Sequence, residues 1–120
     1  MIGFTSSQRY YLSRQAADMR KSYDGLSGLV RQGLGRDPLS GEVFIFLNRR
    51  RTMVKLLVWD RSGFVVWSKR LERGTFELPQ RLDQGASIVL GWEELVLILE
   101  GVSLGSVRRR VRYSRAQAAA

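Results

Sequence analysis

At 120 residues the chain has room for one core and not for two ordinary domains. Its apolar fraction of 44% excludes disorder throughout, and a formal charge of +9, from 20 Lys and Arg against 11 Asp and Glu, calls for an acidic partner. With no cysteine and no histidine there can be no disulfide framework, no thiolate or imidazole metal ligand and no histidine base.

Residues 9–13 read as a short first strand. Asp18 is a suitable cap for a helix over residues 18–34, whose apolar positions Met19, Tyr23, Leu26, Val30 and Leu34 recur at spacings of three and four. Gly25, Gly28 and Gly33 weaken it by about 1 kcal/mol each relative to alanine, so it depends on docking against a sheet. Gly35 ends it, and residues 37–41 form a turn into the next strand.

Residues 42–71 organise the chain. Three runs rich in β-branched and aromatic residues are separated by short polar breaks at 48–52 and 60–63, which predicts an antiparallel β meander. Pairing Trp59 with Phe64 divides the second hairpin into two faces. One holds Val54, Leu56, Val58, Val65, Trp67 and Leu71 and is expected to meet the long helix. The other holds Lys55, Leu57, Trp59, Phe64, Val66, Ser68 and Arg70. A mixed face of this kind is either a stacking platform for bases or, more often, is covered by another segment or subunit.

Beyond a turn at residues 72–74 come an extended piece at 75–78, a polar loop at 80–85 and a strand at 87–90. A short helix is expected over 92–100, with Trp92, Leu95, Val96 and Leu99 on its apolar stripe, Glu93 and Glu94 in its first turn and Gly101 at its end. The domain is taken as residues 1–104, and residues 105–120 as a basic, flexible tail. Residues 101–120 hold five arginines and no acid, so over half of the net charge lies there. The predicted fold is α+β: an antiparallel meander with one main helix packed on it and a short C-terminal helix.

Arg49, Arg50 and Arg51 make the first hairpin loop a concentrated cationic tip, and guanidinium groups bind phosphate oxygens through charge-assisted, often bidentate hydrogen bonds. With Arg108, Arg109, Arg110 and Arg112 of the tail they are the candidate nucleic-acid contacts; Lys55, Lys69, Arg70 and Arg73 are secondary candidates. The bland alternative is that an arginine run is a solvated turn. Trp59 and Phe64 are candidate partner-binding residues. No triplet of carboxylates falls on neighbouring strands as a metal-dependent nuclease would need, and the glycines at 25 and 28 make no phosphate-loop fingerprint. Tyr113 sits in a basic tail, where a tyrosine is more often a contact residue than a nucleophile. No catalytic residue, cofactor or metal is expected. The longest apolar run, residues 95–99, is too short for a membrane span, so a soluble, cytoplasmic protein, nucleoid-associated if it binds DNA, is the default.

Several ordered motifs carry a family resemblance: residues 18–26, Asp-Met-Arg-Lys-Ser-Tyr-Asp-Gly-Leu; 35–38, Gly-Arg-Asp-Pro; 41–46, Gly-Glu-Val-Phe-Ile-Phe; the three arginines; 55–59, Lys-Leu-Leu-Val-Trp; 69–74, Lys-Arg-Leu-Glu-Arg-Gly; and Glu100-Gly101. Over residues 10–102 the chain resembles the small accessory protein, TnpB type, of insertion-sequence family 66 transposons. The resemblance implies a non-enzymatic protein encoded beside a separate, larger transposase and assisting transposition, and it supplies no catalytic residue. Two readings follow. Either the chain binds nucleic acid, DNA first with RNA as the alternative, or it is an interaction module that bridges or stabilises the transposase.

Overall fold

Where β-branched and aromatic residues alternate between polar breaks, the chain is extended; where they recur every three or four residues, it coils. The computed structural model describes residues 4–80 and 85–101. In order it forms β1 (Tyr10–Ser13), α1 (Tyr23–Gly28) running into a π-helical turn (Leu29–Gly33), β2 (Val43–Leu47), β3 (Met53–Asp60), β4 (Gly63–Arg70), β5 (Ser87–Leu90) and α2 (Trp92–Glu100). The fold is α+β.

The strands make one five-stranded sheet in the order β4-β3-β2-β1-β5. β2, β3 and β4 pair as antiparallel neighbours, with Trp59 opposite Phe64 as the alternation required. The sheet as a whole is nevertheless mixed, not a meander, because β1 lies parallel to β2, Tyr10 opposite Val43 and Leu12 opposite Ile45. A parallel neighbour needs a long crossover, and the helical segment between β1 and β2 supplies it. β5 pairs antiparallel with the other side of β1.

Both faces are buried, each by a different helix. Tyr10, Leu12, Val43, Ile45, Leu47, Val54, Leu56 and Val58 form one face with Leu95 and Ile98 of α2 and with Phe76, while Val65, Trp67 and Leu71 pack at its border. Tyr11, Phe44, Phe46 and Leu57 form the other with Leu26 and Val30, joined by Phe64 and Val66. This corrects the expected helix arrangement: the long helical segment lies on the Leu57, Phe64, Val66 face, and α2 takes the face first assigned to it. Since both rows are apolar, alternation alone could not say which helix covers which.

The first helix also starts later than expected. Asp18 does not cap it: its carboxylate accepts from the Arg20 N–H at 2.9 Å and its carbonyl from the Lys21 N–H at 3.1 Å, a local turn that competes with helix. The helix opens where Ser22 O accepts from Leu26 N–H at 2.8 Å. It widens at its end, with Leu34 N–H donating five residues back to Leu29 O, and stops at Gly35, whose φ is +63°. α2 has the expected bounds and ends at Gly101, φ +78°. Its buried stripe is Leu95 and Ile98 rather than one including Trp92, whose indole N–H donates to Phe4 O at 3.1 Å.

Candidate nucleic-acid interface

The β2–β3 loop is built by Asn48. Its Oδ1 accepts from the N–H groups of Thr52 at 2.9 Å and Met53 at 3.0 Å, its Nδ2 donates to Thr52 Oγ1 at 3.0 Å, and its carbonyl accepts from Arg51 N–H at 3.0 Å. Arg51 closes the turn at φ +59°, a left-handed conformation that costs a residue with a Cβ about 1–2 kcal/mol. The chain after β4 holds the loop from its other side, Phe76 N–H donating to Arg51 O at 2.7 Å and Leu71 N–H to Thr52 O at 2.8 Å. Phe76 is fully buried, so this clamp is anchored in the core.

Arg49, Arg50 and Arg51 are all exposed, and among the described residues no carboxylate forms an ion pair with any of them. Antiparallel pairing of β3 with β4 brings Arg70 opposite Met53, beside the loop, and Arg73 follows in the exposed turn clamped to it. Arg70 meets Glu72 at 3.1 Å, but both side chains are largely in solvent, so the pair yields readily to a stronger anion. The parallel β1–β2 pairing adds a residue that sequence reasoning missed: β1 ends at the same end of the sheet as β2, which brings Ser13 and Arg14 to the loop. Arg14, Arg49 and Arg51 line a crevice of about 130 Å³ between them. Nothing local marks Arg14; only knowledge of the strand direction could have found it.

The other candidates separate from this end or take neighbours of their own. Lys55 Nζ donates to Lys21 O at 2.8 Å on the α1 side of the sheet. Lys69 Nζ donates to Leu99 O at 2.7 Å on the α2 side, where a cation also complements the helix C-terminus. Trp59 and Phe64 meet edge to face, 5.0 Å between ring centroids, near the far tip of the β3–β4 hairpin. Six residues of strand separate Trp59 from Met53, a span of roughly 20 Å. Arg61, at φ +52°, occupies that far tip. Arg108, Arg109, Arg110, Arg112 and Tyr113 lie outside the described residues.

Among the described residues no group of three or more Asp or Glu side chains could hold a metal ion, and no helix is long and apolar enough to cross a membrane. The Asp18 carboxyl is displaced in its titration: its hydrogen bonds from the Arg20 guanidinium and N–H pull it from an ordinary 3.8 down to about 2. That pair is a surface clasp on the turn before α1.

Residues 8–109 match the family model described as IS66 Orf2 like protein. The chain belongs to that family. The match runs past the residue-102 limit read from the motifs and takes in Arg108 and Arg109. Two proteins of Sinorhizobium fredii (strain NBRC 101917 / NGR234) are similar to it. One, "Uncharacterized protein y4jC", is 32% identical over 110 residues, covering 92% of each chain. The other, "Uncharacterized protein y4hO", is 30% identical over 102 residues, 85% of this chain and 87% of its own. No solved structure matches. The IS66 Orf2-like family points to an accessory role in transposition, not to a known catalytic one.

Proposed function

We propose that this chain is a non-catalytic accessory factor of transposition that binds nucleic acid through the cationic end of its sheet. The observation that carries the reading is the loop at residues 49–51: three exposed guanidinium groups, without ion-pair partners among the described residues, on a turn clamped by Asn48 from within and by Phe76 from outside. A held turn of this kind suits phosphate oxygens, because it presents three guanidinium groups together and only their side chains have to be ordered on binding. Among the described residues, none of the exposed large apolar side chains, Tyr23, Leu39, Val89 and Trp92, belongs to this loop or to the turn at 72–74. That favours backbone contact with duplex DNA over base stacking with single strands.

Fluorescence anisotropy with a transposon-end duplex and an unrelated duplex tests the reading. Replacing residues 49–51 together by alanine lowers affinity for both duplexes alike, whereas Arg61→Ala at the far tip leaves it unchanged. Equal binding by the triple variant and the unaltered protein refutes it.

The bridging reading has one observation in its favour: Trp59 keeps part of its ring in solvent at the end remote from the arginines. A transposase held there would leave the cationic end open. Pull-down with purified transposase after nuclease treatment decides it, and capture that is unaffected by Trp59→Ala removes Trp59 from the contact.

A further inference from the structure

The three loop arginines are consecutive in sequence but not equivalent in space. Arg49 and Arg51 line the crevice together with residues 13–16, Asn48 and Leu78; Arg50 does not line it. Arg51 itself sits at φ +59°, the left-handed position that closes the turn. At about 130 Å³ the crevice has room for a tetrahedral oxyanion. A larger cleft of about 330 Å³ shares residues 13–16 with it and is lined by Arg14 and Lys21 together with Asp18, so its charge is mixed, whereas the crevice beside the loop has no acidic residue among the described residues of its lining.

We infer that this crevice seats a single phosphate group between the guanidinium groups of Arg49 and Arg51, while Arg50 contributes only unlocalised charge. The walls are already fixed. Ser13 Oγ donates to Gln15 O at 3.0 Å, and both ends of the Asn48 amide are engaged within the loop, so these side chains shape the seat and the guanidinium groups supply its donors. Two planar donor groups bordering one concavity can fix the position of one phosphate, where an open cationic tip would fix none. The source of that phosphate, a nucleic-acid backbone, rests on the function proposed above; the seat itself does not. On a duplex it sets the register at which the protein sits, since phosphate contacts position and base contacts specify.

The test is a titration of the full chain with inorganic phosphate at low ionic strength, followed by ¹H–¹⁵N NMR of the backbone amides and the arginine Nε–H groups. Saturable shifts confined to residues 13–16 and 48–52 are expected. Arg49→Ala and Arg51→Gly each weaken phosphate binding by about tenfold or more, the loss of a charge-assisted contact, while Arg50→Ala changes it less than about twofold. Glycine is the replacement at 51 because it suits the backbone there, and circular dichroism checks that each variant folds. Equal losses from all three variants, or shifts spread evenly to Arg20 and Arg61, overturn the inference. The same variants assayed on duplex DNA keep the two readings apart. Duplex binding that depends on residues 49–51 without a localised phosphate site removes the seat and leaves the accessory function standing; a localised site in a protein that binds no duplex does the reverse.

Discussion

Replacing Arg51 twice, by glycine and by alanine, isolates the effect of its backbone. Both variants lose the same exposed side chain beyond Cβ, and both keep the two hydrogen bonds made by the residue's own N–H and C=O, to Asn48 and Phe76. They differ in whether a Cβ must be accommodated at φ +59°. Relief of that strain is worth about 1–2 kcal/mol, and the greater freedom of glycine in the unfolded chain offsets about 0.4–1 kcal/mol of it. The glycine variant is therefore expected to be more stable than the alanine variant by about 0.8 kcal/mol at the centre of a range of about 0–1.6, which for a domain of this size raises the melting temperature by roughly 2–6 °C at the centre. Urea denaturation followed by circular dichroism, with calorimetry as a second probe, measures the difference. An alanine variant clearly more stable than the glycine variant would refute the left-handed loop.

Three further outcomes follow from the packing and the charges. Phe76→Ala empties a fully buried position and should cost about 3–5 kcal/mol in chemical denaturation, with loss of amide protection at the Phe76 to Arg51 contact. Trp59→Ala should leave duplex affinity within twofold by anisotropy, because the residue lies roughly 20 Å along β3 from the loop; a large loss would place the nucleic-acid surface at the wrong end of the sheet. Asp18, held at about 2 in the fold against 3.8 unperturbed, stabilises the folded state above pH 3.8, and that contribution is lost as pH falls through about 2. The stability gap between the native chain and Asp18→Asn should accordingly close over that window, and a carboxyl that titrates near 3.8 by NMR would contradict the Arg20 clasp.

What the sequence made legible was what short-range chemistry decides. The register of β3 against β4 followed from two polar breaks and from the alternation that sets Trp59 against Phe64. The bounds of α2 followed from acids in its first turn and Gly101 at its end. Long-range choices were not legible. The parallel β1–β2 pairing depends on where a crossover returns the chain, and Arg14 becomes part of the cationic end only through it. The start of α1 went wrong because Asp18 serves its own turn with Arg20, a competition that helix periodicity does not register. Phe76 escaped notice as a core residue although Thr75, Phe76, Glu77 and Leu78 alternate, because the segment is short and joins no strand of the sheet; only the fold shows its N–H tied to Arg51 O and its ring buried. That Arg49 and Arg51 line the crevice while Arg50 does not was likewise hidden, since only the folded loop shows it.

The salt dependence of duplex binding tests the central claim most directly. If three guanidinium groups at one end of the sheet neutralise backbone phosphates, changing residues 49–51 to alanine should make the slope of log K against log salt concentration shallower by about 2.7, with the loss in affinity shrinking as salt rises. An unchanged slope, whatever the affinity, would mean that an anionic polymer is held elsewhere on the molecule or not at all.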